Sequence, residues 1–293
     1  MVKVIQLLVT GITMGSIYSL VALGYVTIYR TSRIVNMAQG SFVMLGALLC
    51  YSFVRTLGYP YWLSGLIAVV LVAALSLALY WVVLRRLVTI SLVSVILATI
   101  GLSILFENLA LLQWGGYGLA LPPFIDRKPL SVGGLYVPVQ SLWVVGIMLV
   151  IVLALWFFTV RTRVGKKMTA TASDPGAAAV CGVSTGTMIL LAFGIGAVIG
   201  AVGGIAISNI TPTTYLSGGA FALSGFVAAI LGGWGSTLGA VVGGVTLGII
   251  QSFATGWLPT GYQDAIAFVI LIAVLYLRPQ GLLGTPTIEG EAR

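Results

Sequence analysis

The sequence predicts an all-α, polytopic membrane protein of about eight or nine transmembrane or half-spanning helices. Three observations carry this expectation. Hydrophobic residues make up 59% of the 293 residues and charged residues only 7%. The mean hydropathy is +1.14. The few charges fall between long apolar runs rather than within them. Water-soluble domains carry about 25% charged residues. A lipid-facing surface can do with far fewer, because lipid tails are as apolar as the side chains they meet. A spanning helix takes about 20 apolar residues, so nine of them use about 180. The remainder is divided among short loops, and residues 1–293 read as one transmembrane domain.

The elements follow from the punctuation. The first run, Val4 to Tyr29, has no charge. It is longer than the apolar core of a signal peptide, about 7–15 residues, and lacks a small-residue cleavage site. It reads as a spanning helix. Further spans are expected near 34–54, 62–84, 88–113, 139–160, 188–210, 221–233, 237–257 and 264–280. The segment 221–233 is too short to cross comfortably and reads as a half-helix or re-entrant piece.

Basic residues set the orientation. One set of alternate loops holds Arg30, Arg33, Arg85, Arg86, Arg161, Arg163, Lys166, Lys167, Arg278 and Arg293. The other holds Lys3, Arg55, Arg127 and Lys128. The richer set marks the cytoplasm, which puts the N-terminus outside and the C-terminus inside. The same placement disposes of a nucleic-acid reading of the net charge of +8.

Two loops stand out. Residues 114–138 are rich in Gly and Pro, as in a structured external loop or short hairpin. Residues 161–187 form the largest cytoplasmic loop. Within it, Ser173-Asp174-Pro175 is a helix start, and Ala177 and Ala178 lie in a short small-sided helix that Gly182 ends. That helix is either an interfacial connector or a docking helix for a cytoplasmic partner.

Many of the 38 glycines recur at four-residue spacing. Gly196, Gly200 and Gly204 form one series, Gly235, Gly239 and Gly243 another, and Gly11 and Gly15 a shorter one. Such spacing places small residues on one helix face, where backbones approach closely. Tight packing and sliding during a transport cycle are both compatible with it.

Little in the chain could carry catalysis. There is no histidine, which removes imidazole acid–base chemistry and His metal sites. The two cysteines, Cys50 in an apolar run and Cys181 in a charged loop, are not expected to pair. No paired carboxylates and no nucleophile–base pair stand out, so the chain does not read as an enzyme. Gly165-Lys166-Lys167 lacks the remainder of a phosphate-binding loop. No cofactor or metal is expected. The polar residues within spans are the candidates for a translocation pathway: Asn36 and Gln39 at the start of the second span, in IVNMAQGSF, and Glu107 and Asn108 in the fourth, in TIGLSILFEN. Ionisable and amide groups in a span are costly, and they either bond a neighbouring helix or line a pathway.

Five stretches, in order along the chain, carry a resemblance. They are GITMGSIYSLVALGYVTIYRTSRIVNMAQGSFVMLGAL, TIGLSILFEN, RTRVGKKMTATASDPGAAAVCGV, GFVAAILGGWGSTLGAVVGGVTLGIIQS and LRPQGLLG. Together they resemble the branched-chain amino acid ABC importer permeases of the LivH type. The resemblance implies a bacterial inner-membrane permease that pairs with a second, related permease subunit. Cytoplasmic ATPase subunits would bind the ATP, and an external substrate-binding protein would deliver the solute. It also implies that Asp174 through Gly182, including Ala177 and Ala178, form the coupling helix on which the ATPase acts. The family commonly has His or another polar residue where this chain has Gln39, and an aromatic where it has Met37; it also includes urea and short-amide importers. The competing expectation is an ATP-independent secondary transporter or channel. The first needs midplane ion-coordinating groups on broken helices in inverted repeats, and the second a ring-built filter.

Overall fold

A helix crossing lipid has its own backbone as the nearest partner for a polar side chain, and the first helix uses it at several points, although the buried Tyr25 hydroxyl has no partner among the described residues. The computed structural model describes residues 2–87, 91–124, 130–132, 135–257, 259 and 262–284. Arg127, Lys128 and Arg293 of the charge count, and residues 88–90 of the fourth expected span, lie outside the described residues. Helix α1 (Val2–Ser32) carries hydroxyls that donate to the carbonyl four residues back: Thr13 to Val9, Ser16 to Ile12, Ser19 to Gly15, Thr27 to Leu23. With those donors absorbed, nearly every residue from Gly15 to Ile28 is buried, as expected of a helix surrounded by other helices.

The remaining helices are α2 (Gln39–Tyr51), α3 (Tyr61–Leu79), α4 (Leu92–Trp114), α5 (Val139–Arg161), α6 (Arg163–Ser173), α7 (Pro175–Val180), α8 (Thr185–Ile207), α9 (Ser217–Gly232), α10 (Thr237–Thr255) and α11 (Gln263–Leu277). Wider π turns, Ser52–Thr56 and Tyr80–Leu84, extend α2 and α3, and a last helical turn, Arg85–Leu87, completes the latter span. The loop between α4 and α5 contains a two-stranded antiparallel hairpin, β1 (Leu130–Val132) and β2 (Leu135–Val137).

Among the described residues, six helices are long and apolar enough to cross a membrane. They sort into two classes by burial. Within the most apolar window, 67% of α8 and 50% of α1 is buried, against 22% for α3 and α4 and 17% for α5. The first pair, with α2, α9 and α10, forms the protein interior; α3, α4 and α5 present their apolar surfaces outward. Helix α1 lies against α10, α8, α9 and α5, while α2 is wedged between α8 and α9.

Glycine permits the closest of these contacts. A Cβ on Gly15 would sit 2.6 Å from the Val245 Cα of α10, and one on Gly11 2.7 Å from the Ile249 Cα. Gly244 and Gly248 reciprocate from α10. Gly196 abuts Ile28 and the Gly24 carbonyl of α1, Gly200 abuts Gln39 and Phe42, and Gly204 lies on the Val43 backbone of α2. Gly239 and Gly243 lie against Gly232 at the end of α9. Gly235 departs from that series: it sits in the turn ahead of α10 with φ +90°, and a Cβ there would meet nothing nearer than the Arg30 Cγ at 4.0 Å. It serves the turn and not the helix contact.

Three boundaries differ from the sequence expectation. The second span was expected from residue 34, yet α2 starts at Gln39, because Arg33 turns left-handed (φ +59°) and residues 34–38 are irregular. The short seventh segment is 16 residues in α9, about 24 Å long, still less than the roughly 30 Å of a bilayer's hydrocarbon core. The loop 161–187 is largely helical, as α6 and α7.

Candidate functional site

Two regions bring the sequence candidates together. The first is a polar seam where α4 meets the starts of α2 and α9. Thr99, Ser103 and Glu107 recur every four residues, so they share one face of α4. The Thr99 hydroxyl accepts from the Met37 backbone N–H (3.2 Å), the Ser103 and Ser41 hydroxyls are hydrogen-bonded (3.0 Å), and the Glu107 carboxylate bonds the Gly219 backbone at the N-terminal turn of α9. A carboxylate suits a helix N-terminus, where unpaired N–H groups and the helix dipole favour negative charge. Asn108 is turned to the outer surface, and its amide donates to the Ile104 carbonyl one turn back.

Asn36 and Gln39 lie on the α2 side and are both buried. The Asn36 Oδ1 accepts from the Ala38 N–H and its backbone carbonyl from the Gln39 N–H, so Asn36 closes the turn that leads into α2. The Gln39 Nε2 donates to the Gly196 carbonyl of α8 (2.8 Å) in a slot made by Gly24 and Gly200. The Asn36 Nδ2 and Gln39 Oε1 have no hydrogen-bond partner among the described residues. A buried donor and acceptor left unmet are uncommon in a folded protein. Sequence reasoning picked out Asn36, Gln39 and Glu107 but missed Ser41, Thr99 and Ser103. The four-residue spacing of Thr99, Ser103 and Glu107 was the signal available.

The second region is the elbow formed by α6 and α7 beyond the arginine-rich end of the bundle. The Thr162 hydroxyl caps α6 by accepting from the Gly165 N–H. Gly165, Met168 and Thr171 hold one side of α6 against the bundle, while Arg163, Lys166 and Lys167 face outward. Asp174 then caps α7, its Oδ1 accepting from the Gly176 and Ala177 N–H groups at 2.8 and 3.0 Å, with Pro175 in the first turn. Gly182, at φ +78°, makes the exit. The helix stands clear of the bundle: Ala177 and Ala179 are exposed and Val180 is 90% exposed. Ala178 is the exception, its methyl facing back into the protein.

A third match to the sequence motifs is structural. The LRPQGLLG stretch returns to the end of α9, where the Leu282 and Leu283 N–H groups donate to the Leu231 and Gly232 carbonyls. Gly281 (φ +76°) lies directly on Gly233.

Residues 7–275 match the family described as the branched-chain amino acid transport system permease component. The chain is 30% identical to the high-affinity branched-chain amino acid transport system permease protein LivH of Escherichia coli K12, over 97% of each chain. It is 28% identical to BraD of Pseudomonas aeruginosa, again over 97% of each. A probable LivH of Methanocaldococcus jannaschii is 25% identical over 94% of this chain and 90% of its own. The ATP-independent reading gives way to these findings, and so does any enzymatic one: the chain belongs to the family of branched-chain amino acid transport system permease components.

Proposed function

We propose that the chain is one of two related permease subunits of an ATP-driven importer in the bacterial inner membrane. Its substrate is a branched-chain amino acid or a similar small polar solute. An external binding protein supplies the solute and two cytoplasmic ATPases bind the ATP. The observation that carries the reading is α7, a capped, proline-started helix held clear of the bundle with its small side chains exposed. A short helix rigidly joined to α6 transmits a push from an ATPase better than a loop would. In this topology nine helices cross or half-cross the membrane, with the N-terminus outside.

The pathway runs along the polar seam, with Asn36 and Gln39 on one side and Glu107 on the other, and Asn108 on the flank of α4 toward the second permease. The unmet Asn36 Nδ2 and Gln39 Oε1 support this reading. Groups left without partners in one state of a two-state transporter gain them when the seam opens to solute.

The test is ATP-driven uptake with Asp174→Lys, which removes the cap and places a cation at a helix N-terminus, and Gly182→Trp, which puts a bulky residue at a positive φ. Both are expected to abolish uptake while the chain stays in the membrane. Normal uptake in both would remove α7 from the coupling path.

A further inference from the structure

At the arginine-rich end of the bundle, apart from the polar seam, lies a cavity of about 710 Å3. Arg30 and Arg33 at the end of α1 line it, together with Trp156 of α5, Ser173 of α6, and Trp234 and Ser236 of the turn between α9 and α10. We infer that this cavity holds the phosphate headgroup of an anionic phospholipid, with the acyl chains lying along α5 and α10.

The charge comes first. Arg30 is half-buried, with one guanidinium N–H donating to the Thr237 hydroxyl at 3.0 Å. Arg33 lies over the Tyr29 ring at 5.9 Å and reaches the Ala172 carbonyl at 3.4 Å. Neither is paired with a carboxylate among the described residues. Of the acidic side chains described, Glu107 is bound to the start of α9 and Asp174 to the start of α7. Two cations sharing one cavity repel each other, and an oxyanion between them removes that repulsion. Guanidinium groups match phosphate oxygens in geometry as well as charge.

Backbone conformation points the same way. Arg33 has φ +59°, the sole non-glycine residue with positive φ among the described residues. It follows directly on α1, where Gly or Asn adopts this conformation with least strain. A strained residue persists where its side chain is needed, and this one projects its cation into the cavity.

The walls distinguish a lipid from a water-borne anion. Trp156 and Leu238 border the cavity and are exposed. On α5 the exposed surface continues away from the arginines through Leu153 and Leu149, and on α10 through Val242. These are the faces of two helices that flank α1, so the cavity opens sideways toward hydrocarbon. Trp156 lies five residues before Arg161, near the end of α5, and tryptophan is enriched where a membrane meets water. Arg161, Arg163, Lys166 and Lys167 surround the same end, as in the cytoplasmic leaflet where anionic lipids are enriched. A phosphate at Arg33 would also brace Ala172 and Ser173, the last turn of α6 before α7.

The experiment uses the permease purified in mild detergent with whatever subunits accompany it. Native mass spectrometry reads the retention of added phosphatidylglycerol against phosphatidylcholine, and thermal melts read stability with each lipid or with soluble glycerol 3-phosphate. Wild type is expected to retain phosphatidylglycerol about tenfold over phosphatidylcholine, two arginines each contributing several-fold. Arg30→Gln with Arg33→Gly is expected to bring the ratio near parity. Arg33→Gly alone relieves the backbone strain, so it should melt no lower than wild type in phosphatidylcholine yet lose most of the preference. An unchanged preference in these variants would overturn the site. Full stabilisation by glycerol 3-phosphate alone would overturn the lipid and leave a water-borne phosphate in its place.

Discussion

A methyl group at position 204 would run into the Val43 carbonyl of α2, whereas one at position 146 would meet nothing within 4 Å. Both glycines lie inside helices, so the two substitutions separate packing from helix propensity. Gly204→Ala forces α8 and α2 apart, at a cost of about 1–3 kcal/mol. Gly146→Ala restricts the unfolded chain and favours helix by up to about 1 kcal/mol. Thermal melts of the two variants in one detergent should therefore move in opposite directions from wild type; a shared direction would remove the close α2–α8 approach as a source of stability. Glu107 is a subtler residue. Its carboxylate bonds the start of α9, and a glutamine there keeps an acceptor while losing the charge. Glu107→Gln should reduce uptake less than Asp174→Lys does. Complete loss at normal expression would make the charge itself part of transport.

At the scale of elements, α7 depends on its cap. Asn accepts the same N–H bonds as Asp, Ala accepts none and costs about 1 kcal/mol, and Lys adds an opposing charge. Uptake should fall in the order Asp174→Asn, Asp174→Ala, Asp174→Lys, measured at matched expression; an asparagine variant as inactive as the lysine one would shift the role of Asp174 from capping to direct contact with the ATPase. This helix was legible in the sequence because Ser173-Asp174-Pro175 spells a helix start. The preceding α6 was not. Its buried stripe is Gly165, Met168 and Thr171, one apolar side chain in three, and the lysines between them read as a charged loop. The start of α2 was misplaced for a different reason. Residues 34–38 are as apolar as a span, and hydropathy does not register that Arg33 turns left-handed and Asn36 folds the backbone into a turn. Gly235 was read by spacing alone, which cannot separate a helix-face glycine from one whose positive φ makes the turn before Ser236 caps α10. The polar seam was half visible, since Glu107 announces itself by charge while Thr99 and Ser103 resemble the many hydroxyls that merely bond back along their own helix.

For the whole molecule, the orientation in the membrane rests on the uneven spread of basic residues, and the coupling proposal stands only if α7 faces the ATPases. The two cysteines make a built-in probe of that orientation. Cys181 is exposed at the end of α7, while Cys50 is buried within α2. Both are free thiols. A membrane-impermeant maleimide should therefore react with one site only. In inside-out vesicles stripped of peripheral subunits, the reagent is expected to label the chain once, and Cys181→Ser is expected to abolish the label. In right-side-out vesicles the chain should stay unlabelled until the membrane is opened with detergent. The positive-inside rule demands this outcome, because Arg161, Arg163, Lys166 and Lys167 lie in the same connection as Cys181. Labelling from the outer face would invert the bundle. It would also leave α7 on the side where no ATP is available, so one reagent tests the charge argument and the direction of coupling together.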